Sequence, residues 1–221
     1  MRTPLLVVNF KTYKESTGLN AVKLAKQIEK ASKESDVDVA IAVQAIDVRL
    51  VSESVDIPVL AQHVDSDDFG GHTGRVLIES LKQAGAVGTL LNHSEFTLEE
   101  SVVSETIKHC KDNNFFVLLC VPNSEKAGKF SVYGPDVIAV EPPELIGGGV
   151  SVTTEDPGII KRTVETVYRV ERIPVLCGAG IHEKEDVSKS LEFGAKGVLL
   201  ASGVVKHKNP YKETLDLLSG F

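Results

Sequence analysis

Val140-Glu141-Pro142-Pro143-Glu144-Leu145-Ile146-Gly147-Gly148-Gly149-Val150 closes the apolar run Val137–Val140. A wholly apolar run of that length, bounded by turn residues, predicts a buried strand. A carboxylate follows it at once. Pro142 and Pro143 fix two φ angles and disfavour helix in the residue before each, so Glu141 stands at the stiff base of a loop. Gly147 to Gly149 can take positive φ and leave backbone N–H groups uncovered, which suits a hinge or an anion cradle. Rigid base, apolar middle and pliant far end describe a lid over an acid or base. They equally describe a strand-ending Glu in water followed by a glycine turn.

Working outward, the same short apolar runs recur along the whole chain and alternate with helical patterns. Strands are expected at Leu5–Asn9, Val37–Val43, Val59–Gln62, Val87–Leu91, Phe115–Cys120, Val137–Val140, Pro174–Cys177 and Val198–Ala201. Helices are expected at 19–35, with Leu19, Val22, Ala25 and Ile28 on one face, and at 47–55, 75–84, 157–170 and 184–193. Thr97 with Glu100 three residues on reads as a capping box opening a helix whose stripe is Val102, Val103, Thr106, Ile107 and Cys110. Only a short polar segment, 123–130, follows the fifth strand. The last helix opens with Asn209 as N-cap and Pro210 at its first position, and ends near Gly220.

Strands that are continuous apolar runs belong to a parallel sheet covered on both faces. Eight of them, each followed by a helix or a reduced stand-in, predict an α/β fold: a closed (β/α)8 barrel forming one domain over 1–221, shortened around the fifth helix. A doubly wound open sheet is the alternative, and the absence of GxGxxG after the first strand weakens it.

Composition excludes several classes of function. A net charge of −7 over 221 residues and a pI near 5.4 leave no electrostatic footprint for nucleic acid or an anionic membrane, so neither is expected as a partner. An anionic substrate must then be captured by a local positive site. Cys110, Cys120 and Cys177 are an odd count in apolar stretches, spaced as no metal motif is, and read as reduced core residues. Leu5-Leu6-Val7-Val8 is too short for the apolar region of a signal peptide, and no apolar run reaches the roughly 20 residues that span a bilayer. A soluble, cytoplasmic protein is expected.

In a parallel barrel the residues just past each strand converge on one face. There the chain carries Asn9-Phe10-Lys11, Asn92-His93-Ser94-Glu95, Glu141, Cys177-Gly178-Ala179-Gly180-Ile181 and Ala201-Ser202-Gly203-Val204. A lysine, a histidine, a carboxylate and two small-residue turns collect at one end. Each alone has a bland reading; their coincidence points to chemistry. His63, His72, His109, His182 and His207 are read as structural.

These segments, with Ala61-Gln62, His72-Thr73-Gly74, Val140-Glu141-Pro142 and Ile146-Gly147, resemble the triosephosphate isomerase family in its short archaeal-type form, over the full length. The resemblance implies a TIM barrel isomerase interconverting dihydroxyacetone phosphate and D-glyceraldehyde 3-phosphate by proton transfer through an enediolate. It makes Glu141 the base, His93 the electrophile and Lys11 a substrate-binding and polarising cation, with Asn9 and Glu95 in support. Ile146 and Gly147 would belong to the mobile lid from Pro142 to about Gly149. Backbone N–H groups around Gly147, Gly180, Ala201 and Ser202 would hold the phosphate. No cofactor and no metal are implied. Thr73, leading the loop Asp65–Gly74, would plug a neighbour's site in a homodimer or a tetramer built from dimers.

The chain departs from the family's pattern in places. It has no tryptophan, and Glu144 stands at the lid's first hinge; Cys177-Gly178-Ala179-Gly180 lacks the usual serine hydroxyl; Phe96 replaces a common arginine. Ser94, Glu95 and the turn after them are expected to aim N–H groups at the His93 ring and keep it neutral. Two rival functions use a similar fold. A phosphate-binding epimerase or amino-sugar isomerase shares the turns after strands seven and eight, but a metal-dependent one needs His and Asp ligands at strand ends, where only His93 and His63 qualify. A phosphometabolite sensor needs no base, so Lys11, His93 and Glu141 together argue against it.

Overall fold

The computed structural model describes residues 1–142 and 158–221. Eight parallel strands close into a barrel in sequence order: β1 (Leu5–Asn9), β2 (Asp38–Val43), β3 (Val59–Ala61), β4 (Gly88–Leu91), β5 (Phe116–Val121), β6 (Val137–Val140), β7 (Val175–Cys177) and β8 (Gly197–Leu200). The closed order rules out the open doubly wound sheet. β8 pairs with β1 from Leu5 opposite Gly197 to Val8 opposite Leu200. At that seam Gly197 has φ +148°, and a Cβ there would overlap the Leu5 carbonyl oxygen, so closure demands glycine.

Period-two alternation divides each strand between two cores. Leu5 and Val7, Ala40 and Ala42, Leu118 and Cys120, Val137 and Ala139 fill the barrel's interior, joined by Leu60, Leu90, Leu176 and Leu199. Their neighbours, such as Leu6, Val8, Ile41, Leu119 and Ile138, pack outward against the helices. These are α1 (Leu19–Ser32), α2 (Val48–Ser52), α3 (Ile78–Gln83), α4 (Glu100–Asp112), α5 (Ser124–Ser131), α6 (Gly158–Tyr168), α7 (Lys184–Glu192), α8 (Ser202–Val205) and α9 (Pro210–Leu218).

Several local expectations are corrected. The buried face of α1 is Ala21, Leu24, Ala25, Ile28 and Ala31, while Leu19 is 71% exposed. Leu19 lies about 200° around the helix from Ala21, and the face is set by alanines that let α1 approach the barrel, a weaker signal than large side chains. Thr97 caps nothing: α4 begins at Glu100, because the Leu98 N–H donates to Asn92 Oδ1 (2.9 Å) and holds the preceding segment extended. Val102 is exposed and drops out of the α4 stripe; Val103, Thr106, Ile107 and Cys110 remain buried. The polar segment after β5 is a helix of eight residues. Asn123 caps it by accepting from the Lys126 N–H, and Ala127 and Phe130 anchor it. The Asn209 cap with Pro210 at the first position of α9 is present as expected. The short helix α8 has no counterpart in the sequence reading. The expected lid beyond Pro142, including Glu144, Ile146 and Gly147, lies outside the described residues.

Candidate active site

One more step of the inward alternation leaves the apolar interior and reaches the barrel mouth. In β1 the sequence Leu5, Val7 leads to Asn9; in β6 Val137, Ala139 leads to Glu141; in β7 Leu176 leads to Gly178; in β8 Leu199 leads to Ala201. The strand period itself therefore aims Asn9, Glu141, Gly178 and Ala201 at one another. They line a single cleft with Lys11, His93, Gly180 and Ser202. Tyr13, Ile181 and His182 are among the other residues that line it.

Two left-handed residues turn the remaining side chains into the mouth. Asn92 has φ +57° and ends β4, so His93 faces the cleft rather than the helices. Its side chain explains why a non-glycine tolerates this conformation: Nδ2 donates to the Cys120 carbonyl (3.0 Å) and Oδ1 accepts from Leu98. Lys11 has φ +48°. Its N–H donates to Asn9 Oδ1 (3.0 Å), and its carbonyl accepts from Gln62 Nε2 (3.0 Å). Asn9 and Gln62 thus clamp the lysine backbone from both sides. Gln62 and Asn92 are positioning residues that the sequence reading did not assign.

Glu95 ties the cation to the imidazole. Its Oε1 lies 2.7 Å from Lys11 Nζ, and its backbone N–H donates to His93 Nδ1 (3.2 Å). A ring nitrogen that accepts cannot also carry the ring's proton, so this bond assigns the neutral imidazole's hydrogen to Nε2. The expected N–H aimed at the ring is that of Glu95. Nε2 in turn lies 3.3 Å from Glu141 Oε1.

Glu141 is only 3% exposed, and its Oε2 has no hydrogen-bond partner among the described residues. A buried carboxylate oxygen without a partner is costly to keep. The Cys120 thiol beside it is held well above the ordinary thiol range, first by burial and then by the neighbouring Glu141 charge and a hydrogen bond to it. Phe96, in the place of the arginine, packs edge-on against the His63 ring with centroids 4.8 Å apart. Thr73 lies exposed on the loop after β3 and is not among the residues that line this cleft.

A closed parallel barrel with its polar side chains gathered at the strands' C-terminal ends defines an enzyme of the (β/α)8 class. A family model described as triosephosphate isomerase matches residues 4–218. The chain is 48% identical over 220 residues to a triosephosphate isomerase of Methanothermus fervidus, covering 99% of both chains. Against the proteins of that name from Methanobacterium bryantii and Saccharolobus solfataricus the identities are 44% and 42%, covering 98% and 99% of this chain and 96% of each relative. The chain belongs to the triosephosphate isomerase family.

Proposed function

We propose that this protein interconverts dihydroxyacetone phosphate and D-glyceraldehyde 3-phosphate, a step of glycolysis and gluconeogenesis, with Glu141, His93 and Lys11 as its catalytic residues. The observation that carries the reading is the buried Glu141 carboxylate within 3.3 Å of the His93 Nε2–H at the cleft floor. Glu141 takes a proton from the carbon next to the carbonyl and returns it to the neighbouring carbon. The C–H electron pair becomes a carbon–carbon double bond while the carbonyl π pair moves onto oxygen, giving an enediolate; the hydroxyl proton passes between the two oxygens by way of His93, and no net oxidation occurs. A positioned base contributes about 10²–10⁴ in rate. The developing oxyanion is met by the His93 Nε2–H and the Lys11 ammonium, groups already held in place by Glu95, Asn9 and Gln62. A carboxylate base paired with a neutral imidazole is the family's own device, carried over to these residues.

The phosphate is the non-reacting handle whose binding energy positions the carbons. Ala201 and Ser202 open α8, where first-turn N–H groups lack intrahelical acceptors, and Gly180 faces them across the cleft. Backbone dipoles together with Lys11 suit anion capture by a chain of net charge −7. From the family resemblance, Ile146 and Gly147 complete that end of the site. We take the protein to act in the cytoplasm as a homo-oligomer, dimer or tetramer, with Thr73 reaching a neighbour's cleft. Among the described residues no helix is long and apolar enough to cross a membrane.

The test is a coupled isomerase assay on purified protein with glyceraldehyde 3-phosphate. Turnover that the Glu141→Gln protein lacks supports the reading. Phosphate-ligand binding without turnover in the parent would make the protein a sensor.

A further inference from the structure

Away from the cleft, on the outside of the barrel, the loop after β3 meets the helices α3 and α4. Asp68 of the loop, Glu79 in the first turn of α3 and His109 in the last turn of α4 bring one ligand atom each to within 4.8 Å of one another. His109 Nε2 and Asp68 Oδ1 are 3.6 Å apart, beyond a good hydrogen bond. Both His109 Nε2 and Glu79 Oε2 are shielded from solvent and have no hydrogen-bond partner among the described residues. Neither Asp68 nor Glu79 pairs with a lysine or arginine among the described residues. Two carboxylates and an imidazole nitrogen thus converge, and two of the three atoms are shielded from solvent.

We propose that Asp68, Glu79 and His109 form a binding site for a divalent transition-metal ion, zinc foremost. One imidazole nitrogen and two carboxylates are a donor set that zinc accepts, with water completing four-coordination. Donors bound at about 2.0–2.1 Å in a tetrahedron lie about 3.3 Å apart. His109 and Asp68 are already near that spacing, and Asp68, whose side chain is 82% exposed, is free to swing inward. The ion would supply the missing partner for both buried atoms and neutralise the two carboxylates. It would also fasten the loop that carries Thr73 to α3 and α4. The site takes no part in the isomerisation and stands or falls separately from it.

The test is titration of chelator-treated, dialysed protein with zinc chloride by calorimetry, alongside thermal melts. The expected result is one zinc per chain and a Tm that rises with zinc concentration, as for any ligand that binds the folded state alone. His109→Ala and Glu79→Gln are each expected to weaken binding at least tenfold and to abolish the Tm rise while keeping isomerase activity. Asp68→Asn changes only an exposed loop side chain, so it supplies a folded variant even if the helix variants do not fold, and it too should weaken binding. Cobalt gives a second readout, since a tetrahedral complex with an imidazole ligand develops a visible absorption band. No uptake by the parent, or equal uptake by parent and all folded variants, overturns the proposal.

Discussion

Gly178 lies against Glu141 with no room for a side chain between them: a Cβ at Gly178 would overlap Glu141 Cγ. Both occupy inward positions one step beyond the apolar interior, on neighbouring strands joined by the Gly178 N–H to the Val140 carbonyl (2.9 Å). Gly178→Ala is therefore expected to displace the carboxylate from His93 rather than unfold the barrel. Misplacing a reacting group by about 1 Å can cost roughly 10² in rate, so kcat should fall at least tenfold with phosphate affinity nearly kept. Unchanged kcat would mean that Glu141 tolerates displacement and that its present geometry is not the catalytic one.

Glu141→Gln keeps the shape of the side chain and removes the base. The expected loss is about 10²–10⁴ or more in kcat, with inorganic phosphate binding as tightly as before, because the role removed exists only on the reaction path. Activity within a few-fold of the parent would transfer the proton abstraction to another group.

The site was legible in the sequence because barrel geometry turns strand ends into neighbours. Asn9, Lys11, His93 and Glu141 needed only the strand count and the C-terminal rule to be placed together, and all four line one cleft. What escaped were effects of partners far along the chain. Gln62 clamps Lys11 across 51 positions, and Asn92 is fixed through the Cys120 carbonyl across 28. Neither pairing has a local pattern. The Thr97 capping box failed for a nearer cause: Asn92, six positions back, takes the Leu98 N–H, and the chain stays extended through Glu99, so the helix starts too late for Thr97 to cap it. Leu19 misleads because large side chains suggest one helix phase while alanines line the contact.

Thiol chemistry tests the core directly. Burial pushes Cys177 up to about 11 and Cys110 up to about 12, and Cys120 rises by burial and the Glu141 charge beside it. The thiolate is the reactive form. At pH 8 the native protein should resist a thiol-specific reagent, and all 3 cysteines should react on unfolding. Rapid labelling of the native protein would show that at least one of the three is open to solvent.

The loop led by Thr73 bears on assembly. Thr73 and Phe69 are exposed on it, Phe69 at 71%. If this loop completes a neighbour's site, light scattering should give a dimer or a dimer of dimers, and specific activity should fall on dilution as subunits part. A fully active monomer at assay concentration would refute the assignment.

Asp65 clasps the base of that same loop. Its backbone N–H donates to the Val76 carbonyl (2.9 Å), and its Oδ2 accepts the Val76 N–H (2.7 Å). Its Oδ1 meets Arg75 Nη1 at 3.1 Å and His63 Nε2 at 3.3 Å. Burial pushes its carboxyl upward, but the Val76 N–H, the His63 contact and the Arg75 charge outweigh it and hold the group below the ordinary 3.8. A carboxyl whose folded value is depressed contributes stability fully above its unfolded value, and that contribution fades as pH falls through the folded value. Asp65→Asn removes the charge while leaving an oxygen for Val76. Weakening hydrogen bonds to a charged group costs about 1–3 kcal/mol, and each kcal/mol lowers Tm by roughly 2–4 °C for a chain of this size. The Tm gap between parent and variant should therefore be steady from neutral pH down to about one unit above the ordinary carboxyl value, then narrow as the solution grows more acidic, once the parent's Asp65 protonates as well. Thermal melts across that range measure it. A gap that persists unchanged at the acid end would assign the variant's loss to shape or packing, and the charge on Asp65 would then have no part in holding the loop closed.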